Sequence, residues 1–191
     1  MAAVICVNIS MNLNWVTCIL LSGFLKTMRS SQYVRVASQS ASAPALELMQ
    51  AIRRSSWNCI SSMAGSEALW QATKRYCEER VVFKKPLSKM QVTQFKFVEM
   101  LTQIRAAQEL TNRCVRMRVA GEDATKEISM AKLFCGRMAR FVADTCIQLH
   151  GGFGYMKESA AGRAFVDTRL MSIGGGADEV MMQYLAKMLG F

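Results

Sequence analysis

Two long stretches repeat apolar or small residues every three or four positions without an internal proline, and this periodicity constrains the chain more than any other feature. In the first, roughly Lys89 to Val119, the stripe reads Phe97, Met100, Ile104, Ala107, Leu110, Cys114 and Met117. In the second it reads Ile128, Ala131, Cys135, Met138, Val142, Cys146 and Leu149. Residues three and four apart share one face of an α-helix, so each stretch is an amphipathic helix that must bury its stripe against another element. A further helix is expected over Ser62 to Glu79, ended by Pro86, and a last one from about Ala177 to Leu189. Between the two long stretches, Gly121, Glu122 and Asp123 break the pattern; Asp123 or Thr125 can cap the next helix, with Glu127 in its first turn. No strand pattern of useful length appears, so the expected fold class is all-α, an antiparallel four-helix-type bundle.

Composition matters at three points. The chain has only two prolines and fifteen methionines among 191 residues, a mix suited to helices with irregular interiors. Its formal charge of +10 invites anionic partners. The basic residues are scattered, however, and no zinc-finger spacing or aromatic RNA-binding stretch accompanies them, so no nucleic-acid partner is expected. Seven cysteines include no C-x-x-C pair, which argues against a zinc site or a closed disulfide framework, and no metal ligands are assigned. Reduced, mostly buried thiols point to the mitochondrial matrix or the cytosol.

Residues 1–46 differ from the rest. They contain no acidic residue, carry Lys26, Arg29 and Arg35, and end in a Ser/Ala-rich stretch before Pro44. That is the composition of a mitochondrial transit peptide. Sequence foreign to the folded unit, or an anchor, are the alternatives, although the apolar run Trp15 to Leu25 is short for a bilayer and no membrane partner is expected. Residues 47–61 then read as an aberrant start of the first bundle helix, and 62–191 as the bundle.

Two glycine-rich turns carry the chemistry. The first lies in Gln148-Leu149-His150-Gly151-Gly152-Phe153-Gly154-Tyr155, and the second in Ile173-Gly174-Gly175-Gly176-Ala177-Asp178-Glu179-Val180, with Arg163, Asp167 and Arg169 between them. Glycines at 151, 152 and 154 allow positive φ and a close approach of the backbone to another group, and amides exposed in such turns suit a phosphate. Upstream, Tyr76, Arg80, Phe83, Pro86-Leu87, Gln91 and Gln94 are spaced as Y-x-x-x-R-x-x-F-x-x-P-L-x-x-x-Q-x-x-Q. Taken singly, the glycines can be helix caps, Arg80 an ion-pair partner of Glu79 or Glu127, Lys187 a solvated lysine, and His150, the sole histidine, a satisfied loop residue.

Together, in this order and spacing from about Ser62 to Phe191, these motifs closely resemble the C-terminal helical domain of the acyl-CoA dehydrogenase family. The resemblance implies FAD as cofactor, an acyl-CoA substrate, α,β-desaturation as in fatty-acid β-oxidation, a homo-oligomer (dimer or tetramer) and an electron-acceptor flavoprotein. It implies that Arg80, Val82, Phe83, Gln91, Gln148, Leu149, His150, Gly151 and Gly152 touch the adenosine diphosphate part of a flavin held by a neighbouring subunit. Ala177, Asp178 and Glu179 would lie beside the flavin, with Gly175 and Lys187 towards the acyl-CoA.

The chain also departs from the family. Desaturation requires a carboxylate to take the α proton, and Gly175 stands where many relatives carry that glutamate. The long-chain and isovaleryl branch draws its base instead from the start of the first bundle helix. Here that position is about Arg54, so the catalytic base is unassigned. Lys84 replaces the glycine expected after Phe83. The upstream helical and β domains of the family cannot be built from residues 1–61. The alternatives are therefore a non-catalytic helical oligomerisation or interaction module, or a truncated product.

Overall fold

The computed structural model describes the backbone of residues 43–191 and the side chains of residues 58–191. Most of the expected leader, residues 1–42, lies outside the described residues. The chain divides into two compact units, Met1–Leu48 and Met49–Phe191. Of the first, only the helical backbone of 43–48 is described; the second carries the bundle.

Its elements are helix α1 (Ala43–Glu79), the two-residue strands β1 (Val81–Val82) and β2 (Lys85–Pro86), and a 3-10 turn over Leu87–Lys89. There follow α2 (Gln91–Val119), α3 (Thr125–His150), the single turn α4 (Gly152–Tyr155), α5 (Ala160–Arg169), a second 3-10 turn over Leu170–Ser172, and α6 (Asp178–Leu189). The all-α expectation holds. Helix α1 is longer than the sequence suggested and runs unbroken through 47–61. Pro44 does not prevent this, because it occupies the first turn, where a helix needs no amide donor.

Side-chain pairings give the helix directions. Thr111 faces Cys135 and Met100 faces Cys146, so residue numbers fall on α2 as they rise on α3, and the two helices are antiparallel. Trp70 Nε1 donates to the Phe97 carbonyl and Glu67 pairs with Arg105, which makes α1 and α2 antiparallel as well. Helix α3 is central and packs against α2, α5 and α6. Its predicted stripe is buried, from Ile128 through Cys146 to Leu149.

The stripe that α1 contributes is unusual: Cys59, Ser62, Ser66, Leu69, Thr73 and Cys77 are buried at intervals of three and four. Four of its six side chains are cysteine or serine, which leaves room for Met100, Ile104 and Met138, themselves at most 1% exposed. Among the described residues no helix is long and apolar enough to cross a membrane.

Three local differences from the sequence reading have physical causes. Asp123 does assist the start of α3, but from one residue before the cap: its Oδ1 accepts from the Thr125 amide at 3.0 Å, and the capping position is Ala124. The Thr125 hydroxyl, which donates to the same oxygen, and the Thr125 amide hold the Asp123 carboxyl below its ordinary range. Helix α5 was not anticipated, because it buries only Ala161 and so shows no stripe; it starts where Ser159 Oγ accepts the Ala161 amide at 3.2 Å. The β1–β2 hairpin pairs Val81 with Pro86 and Val82 with Lys85, too short a ladder to leave a sequence pattern.

The hairpin turn places Phe83 at φ 51° and Lys84 at φ 63°, the left-handed region that glycine occupies without penalty. Lys84→Gly should therefore raise stability by about 1 kcal/mol. A urea midpoint unchanged or lowered by the substitution would contradict this conformation.

Candidate functional site

The predicted residues gather at two ends of α3. Lys132, near its start, reaches the second glycine turn, and His150 ends it at the first. The two positions are eighteen residues apart, about 27 Å along the helix. The turns therefore do not face one another, and no compact ligand touches both within one chain.

At the His150 end, the Tyr76 hydroxyl donates to the His150 carbonyl at 3.3 Å, and the two rings stack at 4.3 Å with Phe153 beyond at 6.1 Å from Tyr76. His150 Nδ1 lies 2.8 Å from the Cys146 carbonyl, so the imidazole is engaged in internal packing. Gly151 terminates α3 at φ 60°, which requires glycine. Gly154 is required for closeness: a Cβ there would stand 2.7 Å from the Ile147 carbonyl oxygen. Gly152 needs neither, having no positive φ and nothing within 4 Å of its Cβ direction.

Arg80 follows α1 directly. Its amide donates to the Tyr76 carbonyl and its carbonyl accepts from Leu87, while its side chain is exposed. Neither Glu79 nor Glu127 forms an ion pair with it among the described residues. Val82 is half-buried, whereas Phe83 is 87% exposed and Gln91 and Gln148 are also exposed. Leu149 is buried and faces the core. This end thus presents a guanidinium without an ion pair among the described residues, two exposed side-chain amides and a bare phenyl ring.

At the other end, Gly175 and Gly176 adopt φ 70° and 115°. The turn is held from behind on both sides. Asn58 Nδ2, from α1, donates to the Gly174 carbonyl at 2.9 Å, and Lys132 Nζ, from α3, donates to the Gly176 carbonyl. Lys132 is only 1% exposed. Burial pushes its ammonium below the ordinary lysine value, opposed by Asp178 and Cys59 nearby.

Asp178, the first residue of α6 and 7% exposed, shares its Oδ2 between Arg137 at 3.4 Å and Arg140 at 3.6 Å, while its Oδ1 has no partner. Ser172 Oγ lies 3.5 Å from Arg140. None of Asn58, Lys132, Arg137 and Arg140 was singled out from the sequence. Each lies on a helix remote in sequence from the turn, and only the unusual presence of a lysine on the apolar face of α3 could have signalled one of them.

Main-chain bonding in the turn completes the picture. Gly174 donates to the Leu170 carbonyl at 2.7 Å, and the next amide with a main-chain acceptor is Met181, which donates to Ala177 at 2.9 Å. The amides of Gly175, Gly176, Ala177, Asp178, Glu179 and Val180 have no acceptor among the described residues. A run of unsatisfied N–H groups at a helix start, backed by a buried cation, is a site for an anion or a polarised oxygen.

Glu179 is exposed, and Lys187 lies exposed in the last turn of α6. Asp178, the buried carboxylate nearest in sequence to Gly175 among the described residues, is paired with two arginines. Among the described residues no group of three or more potential ligands could hold a metal ion. A shallow hollow of about 420 Å³ lined by Arg113, Arg116, Met117, Ala120 and Glu122 contains none of the predicted residues.

Comparison with known proteins fits this frame. The model of the acyl-CoA dehydrogenase C-terminal domain matches residues 48–190. The pig mitochondrial long-chain specific acyl-CoA dehydrogenase is 32% identical over 126 residues, 66% of this chain and 29% of that protein. A probable acyl-CoA dehydrogenase of Bacillus subtilis is 36% identical over 124 residues, 65% of this chain and 33% of its own length. This chain therefore spans about a third of the curated relatives it matches.

Among solved structures, an acyl-CoA dehydrogenase from Geobacillus kaustophilus superposes with a TM-score of 0.72 at 31% identity, covering 75% of this chain and 38% of that one. Butyryl-CoA dehydrogenase from Megasphaera elsdenii gives 0.72 at 27% identity, covering 74% and 37%. With the bundle, the two glycine turns and the matched span in agreement, the chain belongs to the acyl-CoA dehydrogenase family through that family's C-terminal helical domain.

Proposed function

We propose that this chain is the helical, cofactor-holding part of an FAD-dependent acyl-CoA dehydrogenase that acts as a homo-oligomer in the mitochondrial matrix and passes electrons to an acceptor flavoprotein. The observation that carries the reading is the row of amides from Gly175 to Val180 without an acceptor among the described residues, backed by Lys132. Such a row fits the anionic and polar oxygens of a flavin dinucleotide. The Gly151 turn with exposed Arg80 fits a second pyrophosphate, and the 27 Å between the ends suits two flavins held in different subunits better than one.

When bound, FAD would accept the hydride released as the acyl-CoA is desaturated. The residues of this chain would bind and orient. The amides of residues 175–180 donate to the ligand, Asn58 and Lys132 hold the turn that presents them, and Ala177, Asp178 and Glu179 open α6 beside it. Gly175, exposed at the turn, would adjoin the acyl group, and Lys187 offers a charge for the coenzyme A end.

The proton-abstracting base is the unsupplied part. Position 54, where one branch of the family places it, lies one helical turn before Asn58 on α1 and holds arginine. That substitution, with Asp178 already paired, favours a second reading in which the chain binds the cofactor and joins oligomers without desaturating a substrate.

Titrating FAD into the purified chain separates these readings. Saturable binding with a shifted flavin absorbance supports a cofactor-holding domain, and bleaching by an acyl-CoA supports the enzyme. A chain that neither binds FAD nor associates would overturn both.

Restoring glutamate at 175 should not rescue activity simply. The left-handed φ of 70° disfavours any side chain, and its Cβ would stand 2.7 Å from Asn58 Nδ2. Gly175→Glu is expected to lose about 2 kcal/mol in urea unfolding, with part regained on adding Asn58→Ala. An unchanged urea midpoint would show that the turn accommodates the carboxylate.

A further inference from the structure

Lys132 is a costly residue for a helical core. It ranks among the largest fully buried side chains of the described chain, at 1% exposure, on the face of α3 that otherwise carries Ile128, Ala131, Cys135 and Met138. A buried ammonium is tolerated only where its donors are used and its charge is answered. Gly176 O is its one hydrogen-bond acceptor among the described residues. The nearby carboxylate, Asp178, has its Oδ2 committed to Arg137 and Arg140.

Two positive-φ glycines in succession lack the steric restraint that a Cβ supplies, so Gly175 and Gly176 could sample many conformations. The turn is nevertheless tied at both flanking carbonyls, Gly174 by Asn58 and Gly176 by Lys132. The second tie is the one adjoining α6 and the amides that have no acceptor among the described residues.

We propose that Lys132 is the positioning residue of this site: its buried ammonium, bonded to the Gly176 carbonyl, locks the glycine turn so that the amides of residues 175–180 present one outward-facing anion cradle. The purpose assigned to the cradle rests on the function proposed above; the locking of the turn does not. Asn58 is the secondary tie, replaceable in part because α1 supplies only a neutral amide. Lys132 also places a positive charge behind the cradle, within the low-dielectric interior where it is little screened.

The test uses the full 191-residue chain, with amide order parameters from nuclear magnetic relaxation and with inorganic pyrophosphate as the anion probe. In the wild type, Gly175 and Gly176 should be as rigid as the bundle, with order parameters near about 0.85, and in Lys132→Met they should fall below about 0.6 while Met100, Ile104 and Val142 keep theirs. Lys132→Arg, which retains charge and donors, should restore most of the rigidity, a rescue that a purely space-filling role would not give. Pyrophosphate affinity should fall at least about tenfold in Lys132→Met, the loss of one charge-assisted interaction.

A turn that stays rigid in Lys132→Met overturns the proposal, as does loss of order in the core to the same extent as in the turn. If Lys132→Met does not fold, Lys132→Leu decides the matter by the same measurement. Leucine has no donor for the Gly176 carbonyl, so a rigid turn in that variant rejects the proposal and a mobile one supports it. If the wild type fails to bind pyrophosphate while the turn still depends on Lys132, the cofactor reading fails and the positioning role stands.

Discussion

Gly162→Ala should destabilise the chain by about 3 kcal/mol, lowering the thermal midpoint by about 6–12 °C. A Cβ at this position would lie 2.6 Å from the Met156 carbonyl oxygen and 2.7 Å from that of Gly154. Both are backbone atoms, so no flexible side chain can turn aside. Gly154 cannot retreat either, since its own Cβ direction meets the Ile147 carbonyl at 2.7 Å and the His150 Cβ at 2.9 Å. The two glycines thus form a backbone-to-backbone contact that holds α5 to the turn after α3. Because the first glycine turn is built into this contact, the variant should also weaken any ligand bound near Gly151. A thermal midpoint within about 2 °C of wild type would mean that α5 is free to move away from that turn.

Raising the pH from 8 to 11 should remove several kcal/mol of stability, through thiols that the fold keeps protonated. Burial pushes both Cys77 and Cys146 up to about 11, with Glu78 adding to the first and the Thr73 hydroxyl opposing the second. Each is 0% exposed. In the unfolded chain these thiols ionise near the ordinary value of 9.0.

Between 9 and 11 the unfolded state therefore binds fewer protons than the folded one, and unfolding becomes easier as pH rises. The stabilisation is complete below pH 9 and lost as pH passes 11, at about 3 kcal/mol for each thiol. Lys132 acts with the opposite sign, because its lowered value makes the unfolded state bind the extra proton. The comparison that isolates the thiols is thus wild type against Cys77→Ala/Cys146→Ala, by urea unfolding at pH 8, 9, 10 and 11. The wild type should lose stability more steeply; parallel curves would show that these cysteines are hydrated in the fold.

How much of this was legible in the sequence depended on whether the determining contact was local. The stripes of α2 and α3 were readable because every turn of a buried helix repeats the same demand for apolar side chains, from Met100 to Cys114 and from Ile128 to Leu149. The start of α1 was not, because its composition resembles a leader, and the face that α1 buries from Cys59 to Cys77 is mostly cysteine, serine and threonine rather than leucine. The α5 helix left no stripe, since it is retained through Gly162 and the Ser159 cap rather than through apolar burial.

The same division runs through the site. The glycine turns announced themselves, because positive φ and close approach both select glycine, and the order of the motifs pointed to the family. By itself the sequence determined a helical bundle, the two turns and the absence of a carboxylate at 175. Only the tertiary structure decided that the turns sit at opposite ends of α3, that Asn58 fills the space beside Gly175, and that Lys132 and Asp178 are buried against the second turn. Helix periodicity and turn geometry are set within a few residues of the chain, whereas Lys132 and Asn58 are separated from the turn by 44 and 116 positions and meet it only when the helices pack.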